Sequence, residues 1–295
     1  MKWALGYNKL PLRLSSARDE TPRGLMNPPF PSNLDNLAYS EAGSRMRDGS
    51  LNPAERCNPS AQQSTPPLYP HRYNLYTGLK LINRQIITIT FVGGSLTKFL
   101  SSGLPKIDTD WSKWRLFFCD ERLVPIESGD STYGVYKSAL IGTTPLTEDQ
   151  FIKIDPQLTA EEAAKDYIQQ MSVYFPPDSL PRFHMLLLGM GPDGHTCSLF
   201  PGHRLLEETS VWVAPITDSP KPPPSRITLT FPVVNNAECC VFAATGASKA
   251  DIVKRILKDG EALPAGRVQP SNGKLVWLLD EAAGQHVKDV QTGVL

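Results

Sequence analysis

The chain has 295 residues, of which 40% are hydrophobic and 20% are charged, and its 30 Lys and Arg balance its 30 Asp and Glu. A neutral total argues against nucleic-acid binding, which normally requires a basic surface. The longest apolar runs, such as Ile86–Val92 and Leu275–Leu279, are far shorter than the roughly 18 residues of a membrane span. The five cysteines are odd in number and lack C-x-x-C spacing, so they indicate neither a disulfide framework nor a zinc site.

The composition of the chain changes near residue 85. Residues 1–84 are rich in Pro, Asn, Ser and Arg and carry no lasting helical period. Such a segment buries too little apolar surface to offset its ordering entropy, so we predict that 1–84 are mostly disordered and that 85–295 form the folded domain. The first residues contain no apolar stretch typical of a secretory signal, so we expect a cytoplasmic protein, with a mitochondrial presequence as the less favoured alternative.

From residue 85 onward, apolar strand-like runs alternate with helical patterns. Strands are predicted at 86–92, 114–119, 183–188, 211–214, 226–231, 240–244 and 275–279. Helices are predicted after Ser95, after the capping box Thr159–Glu162 and after Ser248, which we expect to cap the last one. This alternation predicts an α/β domain with a mostly parallel, Rossmann-like sheet and helices on both faces. Ligands of such sheets bind at the carboxyl ends of the strands.

Two of the predicted strand exits carry groups that suit an anion. Gly93, Gly94 and Ser95 lie between a strand and a helix, where backbone N–H groups and the helix dipole favour a phosphate. Arg122 follows Asp120 and Glu121 at another strand end, and a guanidinium there can bind a phosphate or a carboxylate. Asp120 can also act on a substrate proton or hydroxyl. The alternatives are an ordinary tight turn for the first segment and a solvated loop for the second.

A third strand exit, Gly189–Gly202, contains the spacing G-x-G-x-x-G of dinucleotide-binding proteins. Asp193 inside this loop would repel a pyrophosphate, so NAD or NADP binding is disfavoured. His195 is the side chain best matched to accepting a proton from water near neutral pH, and Asp193 can orient it. Cys197 as a nucleophile paired with His195 is disfavoured, because residues two apart on a helix do not face each other.

Two cationic segments, 221–226 and 245–249, complete the set. Arg226 leads into a strand, and Lys249 opens a helix, where a cation is placed against the macrodipole unless an anion also binds there. The alternative for Lys249 is a solvated lysine. A metal site needs three or more converging ligands, and the sequence offers one well-placed histidine, so we expect no metal. These residues together predict a site for a small phosphorylated substrate with a histidine base.

The chain closely resembles the 6-phosphogluconolactonase family, in its animal form, at five segments: CDERLVP, DSTYGVY, LLLGMGPDGHTCSLFPG, DSPKPPPSRITLTFPV and ATGASKA. The resemblance runs from about Ile87 to Asp280, and this family is similar in fold to glucosamine-6-phosphate deaminase. It implies hydrolysis of 6-phospho-D-glucono-1,5-lactone to 6-phospho-D-gluconate in the pentose phosphate pathway, without a cofactor. The implied partner is therefore a phosphosugar lactone, and neither nucleic acid nor membrane is expected.

The resemblance also implies roles for individual residues. His195 would activate a water that attacks the lactone carbonyl, while Asp193 and Asp120 would orient His195 or sugar hydroxyls. Six residues would hold the phosphate: Gly93, Gly94, Ser95, Arg122, Arg226 and Lys249. Two alternatives stay open, namely a sugar-phosphate isomerase or deaminase of the same superfamily and a non-catalytic phosphosugar-binding remnant. The sequence does not indicate the oligomeric state.

The chain departs from the family pattern at two places. Val92 stands where members usually have a serine, which removes one hydroxyl near the expected phosphate. Residues 1–84 do not supply the strand and long helix with which the family begins. Loss of these elements would leave one sheet edge and one sheet face exposed.

Overall fold

The structure is a computed structural model that describes residues 86–290 and the backbone of residues 3–8. All described residues belong to one compact unit. Its strands are β1 (Trp3–Asn8), β2 (Ile87–Phe91), β3 (Trp114–Phe118), β4 (Asp120–Arg122), β5 (Met185–Leu188), β6 (Val213–Ile216), β7 (Arg226–Leu229), β8 (Cys239–Ala244) and β9 (Lys274–Asp280). Its α-helices are α1 (Ser95–Gly103), α2 (Thr132–Leu140), α3 (Ala160–Met171), α4 (Phe231–Val234) and α5 (Ala250–Leu257).

The predicted parallel sheet is confirmed. Strands β9, β8, β5, β2 and β3 lie side by side in this order, and each pairs in parallel with its neighbour. All residues of β2 and β5 are buried, as expected for central strands covered on both faces. The carboxyl ends of β2 and β5 therefore open side by side at one edge of the sheet.

Three further strands form a second sheet. Strands β4, β7 and β6 form a separate antiparallel sheet in that order. The interpretation of Asp120–Arg122 as a loop is wrong, because these charged residues are extended through pairing with β7. Tertiary hydrogen bonding can override the low strand propensity of acidic residues, and a three-residue strand has no period to detect. In this pairing Arg122 lies opposite Arg226, so the two arginines stand on neighbouring strands.

The helices follow their predicted signals in part. The capping box at Thr159 and Glu162 is present at the start of α3, and α1 begins after Gly94 as expected. The prediction that Ser248 caps the last helix is wrong, because a turn of 3-10 helix over Ala247–Lys249 precedes α5. Helix α2 was not predicted, and its start is defined by Ser131, whose side chain accepts from the N–H of Gly134.

The core of the unit lies between the central sheet and its helices. Phe91, Leu116, Leu186 and Phe242 from four neighbouring strands are each fully buried. Burial of a large apolar side chain contributes about 1.5–3 kcal/mol each, so these strands hold the parallel sheet together. Cys119 and Cys240 are also fully buried and pack as small hydrophobic residues.

The segment 1–84 is described only at β1. Residues Trp3–Asn8 are a strand that pairs antiparallel with β9, with Gly6 opposite Leu278 and Asn8 opposite Val276. The edge of the sheet at β9 is therefore paired, because backbone pairing requires only an extended segment and not a particular sequence. The rest of the predicted disordered segment lies outside the described residues. Among the helices that are described, none is long and apolar enough to cross a membrane.

Candidate active site

The loops that leave β2 and β5 meet at the carboxyl edge of the parallel sheet. Gly189 follows β5 and lies against Val92 at the end of β2, since a Cβ on Gly189 would be only 3.4 Å from Val92 Cγ2. The hydroxyl of Tyr136 in α2 donates to the carbonyl of Val92 at 3.1 Å, which holds the backbone immediately before Gly93. The carboxyl ends of β2 and β5, both predicted from the sequence as candidate ligand-binding ends, are thus neighbours, as the parallel topology requires.

A tight turn presents His195 after β5. The N–H of Gly191 donates to the His195 carbonyl at 2.9 Å, and the N–H of Gly194 donates to the Gly191 carbonyl at 3.1 Å. Gly194 has a φ of 82°, a conformation that favours glycine. A Cβ on Gly191 would be 2.0 Å from His195 Nδ1, so any side chain at position 191 would collide with the imidazole. These glycines shape a turn around a histidine, not around a dinucleotide.

The imidazole of His195 contacts one carboxylate and one ammonium group. Its Nδ1 atom is 2.5 Å from Asp193 Oδ1 and 3.1 Å from Lys221 Nζ. Lys221 also donates to Asp193 Oδ1 at 3.1 Å, and the ring of Phe200 lies 4.7 Å from the imidazole, centroid to centroid. Lys221 comes from the loop before β7, at the start of the cationic segment 221–226, where the sequence indicated no separate role for it. A lysine in a proline-rich loop has no local signal for such a contact.

These neighbours set the charge state of the His195–Asp193 pair. Burial raises the pKa of Asp193, but the contacts with His195 and Lys221 outweigh it and lower this pKa to about 2. Burial lowers the pKa of His195, Asp193 opposes this shift, and the positive charge of Lys221 adds to it. At neutral pH, Asp193 is therefore an anion beside a neutral imidazole.

Asp120 contacts a different part of the site. Its buried carboxylate accepts a hydrogen bond from Ser198 Oγ at 2.8 Å, and its Oδ2 atom lies 3.7 Å from Arg122 Nε and 3.9 Å from Arg226 Nη1. Asp193, not Asp120, is thus the carboxylate that contacts His195. Asp120 joins β4 to the loop of His195 through Ser198, and it lies between two arginines.

Gly93, Gly94, Ser95 and Arg122 form the region that we call the phosphate cradle. Gly94 and Ser95 are exposed, and Gly94 has a φ of 81° at the N-terminus of α1. The Arg122 guanidinium lies against Gly93, since a Cβ there would be 3.7 Å from its central carbon. Arg122 Nη1 donates to the Asp130 carbonyl at 3.1 Å, whereas its buried Nε atom has no hydrogen-bond partner among the described residues. The cradle thus combines a cation, a helix N-terminus and a glycine-lined approach.

Arg226 is oriented toward its own loop. Its Nη2 atom donates to the carbonyls of Lys221 and Pro222 at 2.7 and 2.9 Å, and its Nε atom donates to the Pro223 carbonyl at 2.9 Å. Its Nη1 atom lies 3.3 Å from Ser198 Oγ. With most of its five donors engaged and its side chain buried, Arg226 holds the loop that carries Lys221.

Lys249 contacts the loop of His195 from the other side. Its Nζ atom donates to the Met190 carbonyl at 2.7 Å, one residue before Gly191. Burial lowers the pKa of Lys249, and the nearby charge of Lys221 lowers it further. An ammonium has three donors, so this contact leaves Lys249 able to bind an anion as well.

Glu121 has a role that sequence reasoning missed. Its buried carboxylate accepts hydrogen bonds from the backbone N–H groups of Arg122, Thr132 and Tyr133 at 2.8, 2.8 and 2.6 Å. Glu121 therefore ties β4 to the N-terminus of α2 across ten intervening residues. Burial raises its pKa to about 7, against the effect of these hydrogen bonds. Thr132 in turn supports the cradle, because a Cβ on Gly93 would be 3.1 Å from its Oγ1 atom.

The described residues contain no group of three or more His, Cys, Asp or Glu side chains arranged to hold a metal ion. The site instead joins a His–Asp pair, two lysines and an arginine at the carboxyl edge of a parallel sheet. Such a fold and site define the class of α/β enzymes that act on small phosphorylated substrates.

Comparisons with known proteins agree with this class. A family model described as glucosamine-6-phosphate isomerases/6-phosphogluconolactonase matches residues 78–277. The 6-phosphogluconolactonase of Rattus norvegicus is 50% identical over 209 residues, which are 69% of this chain and 81% of the relative. That of Homo sapiens is 52% identical over 200 residues, 65% of this chain and 78% of the relative. The chain therefore belongs to the glucosamine-6-phosphate isomerase/6-phosphogluconolactonase family.

Solved structures support the same assignment. The 6-phosphogluconolactonase from Trypanosoma brucei is similar with a TM-score of 0.61 and 29% identity, over 68% of this chain and 86% of that one. The 6-phosphogluconolactonase from Thermotoga maritima is similar with a TM-score of 0.60 and 26% identity, over 68% and 87%. The relatives at about half identity are lactonases, so within the family this chain groups with the hydrolases.

Proposed function

We propose that this chain hydrolyses 6-phospho-D-glucono-1,5-lactone to 6-phospho-D-gluconate, the lactonase step of the pentose phosphate pathway, with His195 as the general base. The observation that carries this proposal is the contact of His195 Nδ1 with Asp193 at 2.5 Å, at the carboxyl edge of the sheet. Its relationship to animal 6-phosphogluconolactonases at about half identity supports the choice of reaction.

The charge state of the pair defines which nitrogen is the base. Asp193 is ionised at neutral pH because its pKa is lowered to about 2, so its carboxylate only accepts hydrogen bonds. The Nδ1 atom of His195 must then carry the proton that is donated to Asp193. The lone pair is left on Nε2, which is the atom that accepts a proton from the attacking water.

The reaction follows from this arrangement in two steps. In the first, Nε2 takes a proton from water as the water oxygen forms a bond to the lactone carbonyl carbon. In the second, the bond between this carbon and the ring oxygen breaks, and the imidazolium returns its proton to the ring oxygen. The products are a carboxylic acid, which ionises, and a free hydroxyl. General acid–base catalysis of this kind contributes about 10²–10⁴ in rate.

The phosphate cradle positions the substrate for this attack. Arg122 and the N–H groups at the start of α1 would bind the phosphate, and Lys249 would contact the substrate beside the His195 loop. Because the phosphate is remote from the reacting carbon, its binding energy serves to orient the carbonyl. Arg226 is placed behind Lys221 and would act on the loop and not on the phosphate.

Turnover of the lactone tests this proposal. The lactone is generated in situ from glucose 6-phosphate, the spontaneous rate is subtracted, and wild type is compared with His195→Ala. We expect the variant to lose at least about 10²-fold in kcat. His286→Ala is the matched control, since His286 also faces an aspartate, Asp251, at 3.5 Å but is partly exposed and lies outside the site. This control should keep wild-type turnover.

Two other outcomes would reject the lactonase reaction. Release of ammonia from glucosamine 6-phosphate without lactone hydrolysis would assign the deaminase activity of the same superfamily. Binding of 6-phosphogluconate by folded protein without any turnover would assign a phosphosugar-binding protein.

A cytoplasmic location is part of the proposal, supported by the relationship to the animal enzymes. Fractionation of cells that express the tagged full chain checks it. Recovery of the protein with mitochondria would contradict it.

A further inference from the structure

Lys221 is held against both members of the His195–Asp193 pair. Its Nζ atom lies 3.1 Å from Asp193 Oδ1 and 3.1 Å from His195 Nδ1. The Nδ1 atom already donates its proton to Asp193, so Lys221 donates to the carboxylate and brings a positive charge to the edge of the ring. Nothing in the proposed hydrolysis requires a cation at this position, because Nε2 and not Nδ1 faces the reaction.

The loop of Lys221 is built to hold this contact. Arg226 donates to the carbonyls of Lys221, Pro222 and Pro223, and Ser219 Oγ donates to the Lys221 carbonyl at 2.8 Å. The N–H of Ser219 also donates to the Pro224 carbonyl at 3.3 Å, which closes the loop on itself. A long lysine side chain loses about 1.5–2 kcal/mol of conformational entropy when it is ordered, and a rigid backbone beneath it reduces the remaining freedom.

We propose that Lys221 is a positioning residue for the hydrolysis, whose ammonium lies against the His195–Asp193 contact and drives the second proton off the imidazole. This inference rests on the proposed role of His195 as the base. When Nε2 has taken a proton from water, the ring carries a positive charge 3.1 Å from the ammonium. Repulsion between the two cations favours transfer of that proton to the ring oxygen in the second step.

Burial and, after it, the charge of Lys221 both lower the pKa of His195 and so favour the neutral base. Three charged groups act directly on His195: Asp193 on its own loop, Lys221 before β7 and Asp120 in β4. A fourth, Lys249 before α5, interacts with Lys221 and Asp193. The two carboxylates favour the imidazolium, whereas burial and Lys221 oppose it. Removal of Lys221 leaves both carboxylates in place, so the proton affinity of His195 must rise.

Lys221→Met tests this inference by two independent measurements. Titration of the His195 ring by NMR should shift upward by about 0.5–1 pH unit relative to wild type. The acidic limb of the pH profile of kcat/KM should shift in the same direction, with KM changed less than about two-fold. Lys221→Arg should keep the wild-type limb, because a guanidinium retains the charge. Lys258→Met is the matched control, since Lys258 makes a surface ion pair with Asp289 at 2.7 Å.

Two results would overturn the inference. An unchanged titration of His195 in Lys221→Met shows that the ammonium does not act on the ring. A raised KM with an unshifted acidic limb shows that Lys221 binds substrate instead. The NMR titration does not depend on turnover. A wild-type chain without lactonase activity would therefore reject the proposed function, and the titration would still show whether Lys221 acts on the His195 ring.

Discussion

The two halves of the site differ in how completely their polar groups are paired. His195, Asp193 and Lys221 contact one another within 3.1 Å, and Arg226 fixes the loop behind them. At the phosphate cradle, by contrast, the buried Nε atom of Arg122 and the buried Oγ1 atom of the neighbouring Thr132 have no hydrogen-bond partner within the described part of the chain.

We expect this difference to separate the chemistry from the binding. A base works only in one tautomer and one orientation, so its neighbours must be in place before the substrate arrives. A phosphate brings its own acceptor oxygens, so donors that bind it gain a partner on binding. The energy of an unpaired buried donor, about 1–3 kcal/mol, is recovered at that moment. We therefore expect changes near His195 to act on kcat and changes in the cradle to act on KM.

Asp193→Asn should have the largest effect. An amide can donate to Nδ1, which favours the tautomer with the proton on Nε2 and removes the base. We expect kcat to fall by about 10²–10³-fold with KM changed less than three-fold. Steady-state kinetics at pH 7 measure it, and Asp218→Asn, which alters the exposed contact with His203, is the control. A change confined to KM would show that Asp193 binds substrate and does not orient the base.

Arg122→Met should have an intermediate effect, and it should act on KM and not on kcat. Loss of a charged hydrogen-bond donor to phosphate costs about 1.5–3 kcal/mol, which is a rise in KM of about 10–100-fold. Competition by inorganic phosphate should weaken in parallel, since this ligand has only the phosphate to offer. Arg255→Met, at a surface ion pair with Glu261, should change neither value. An unchanged KM would place the phosphate outside the cradle.

Glu121→Gln should have the smallest effect on activity and a clear effect on stability. The pKa of Glu121 is raised from 4.5 to about 7, so the folded state retains a proton that the unfolded state releases. The stability that this proton contributes is fully present below pH 4.5 and is lost as the pH rises through 7. Between pH 4.5 and 7, the free energy of unfolding of wild type should fall by up to about 3 kcal/mol relative to that of Glu121→Gln.

Urea unfolding at pH 4.5, 6, 7 and 8 measures the difference between wild type and Glu121→Gln. Glu281→Gln, at an exposed carboxylate, serves as the reference for charge loss alone. A difference that is constant with pH would contradict the prediction. KM at pH 7 should change by no more than a few fold, because Glu121 contacts only backbone N–H groups, those of Arg122 and of the start of α2, and not the cradle's side chains.

Much of the fold was accessible from the sequence because its signals are local. Buried strands such as β2 and β5 appear as continuous apolar runs, and the capping box of α3 is read from residues three apart. The three-residue strand β4 escaped prediction, because its extended backbone follows from pairing with β7 more than one hundred residues later. Helix α2 was missed although its N-cap, Ser131, is local, and Glu121 from outside the helix accepts the N–H groups of Thr132 and Tyr133 as well.

The sequence by itself determined the strand exits, the glycines that shape them and the identity of His195 as the base candidate, since each depends on residues close together in the chain. Only the tertiary structure decided that Asp120 meets Ser198 and not His195, and that Lys221 reaches both members of the His195–Asp193 pair. These contacts join segments separated by up to 78 residues. Their partners depend on how the sheets pack, which no local pattern encodes.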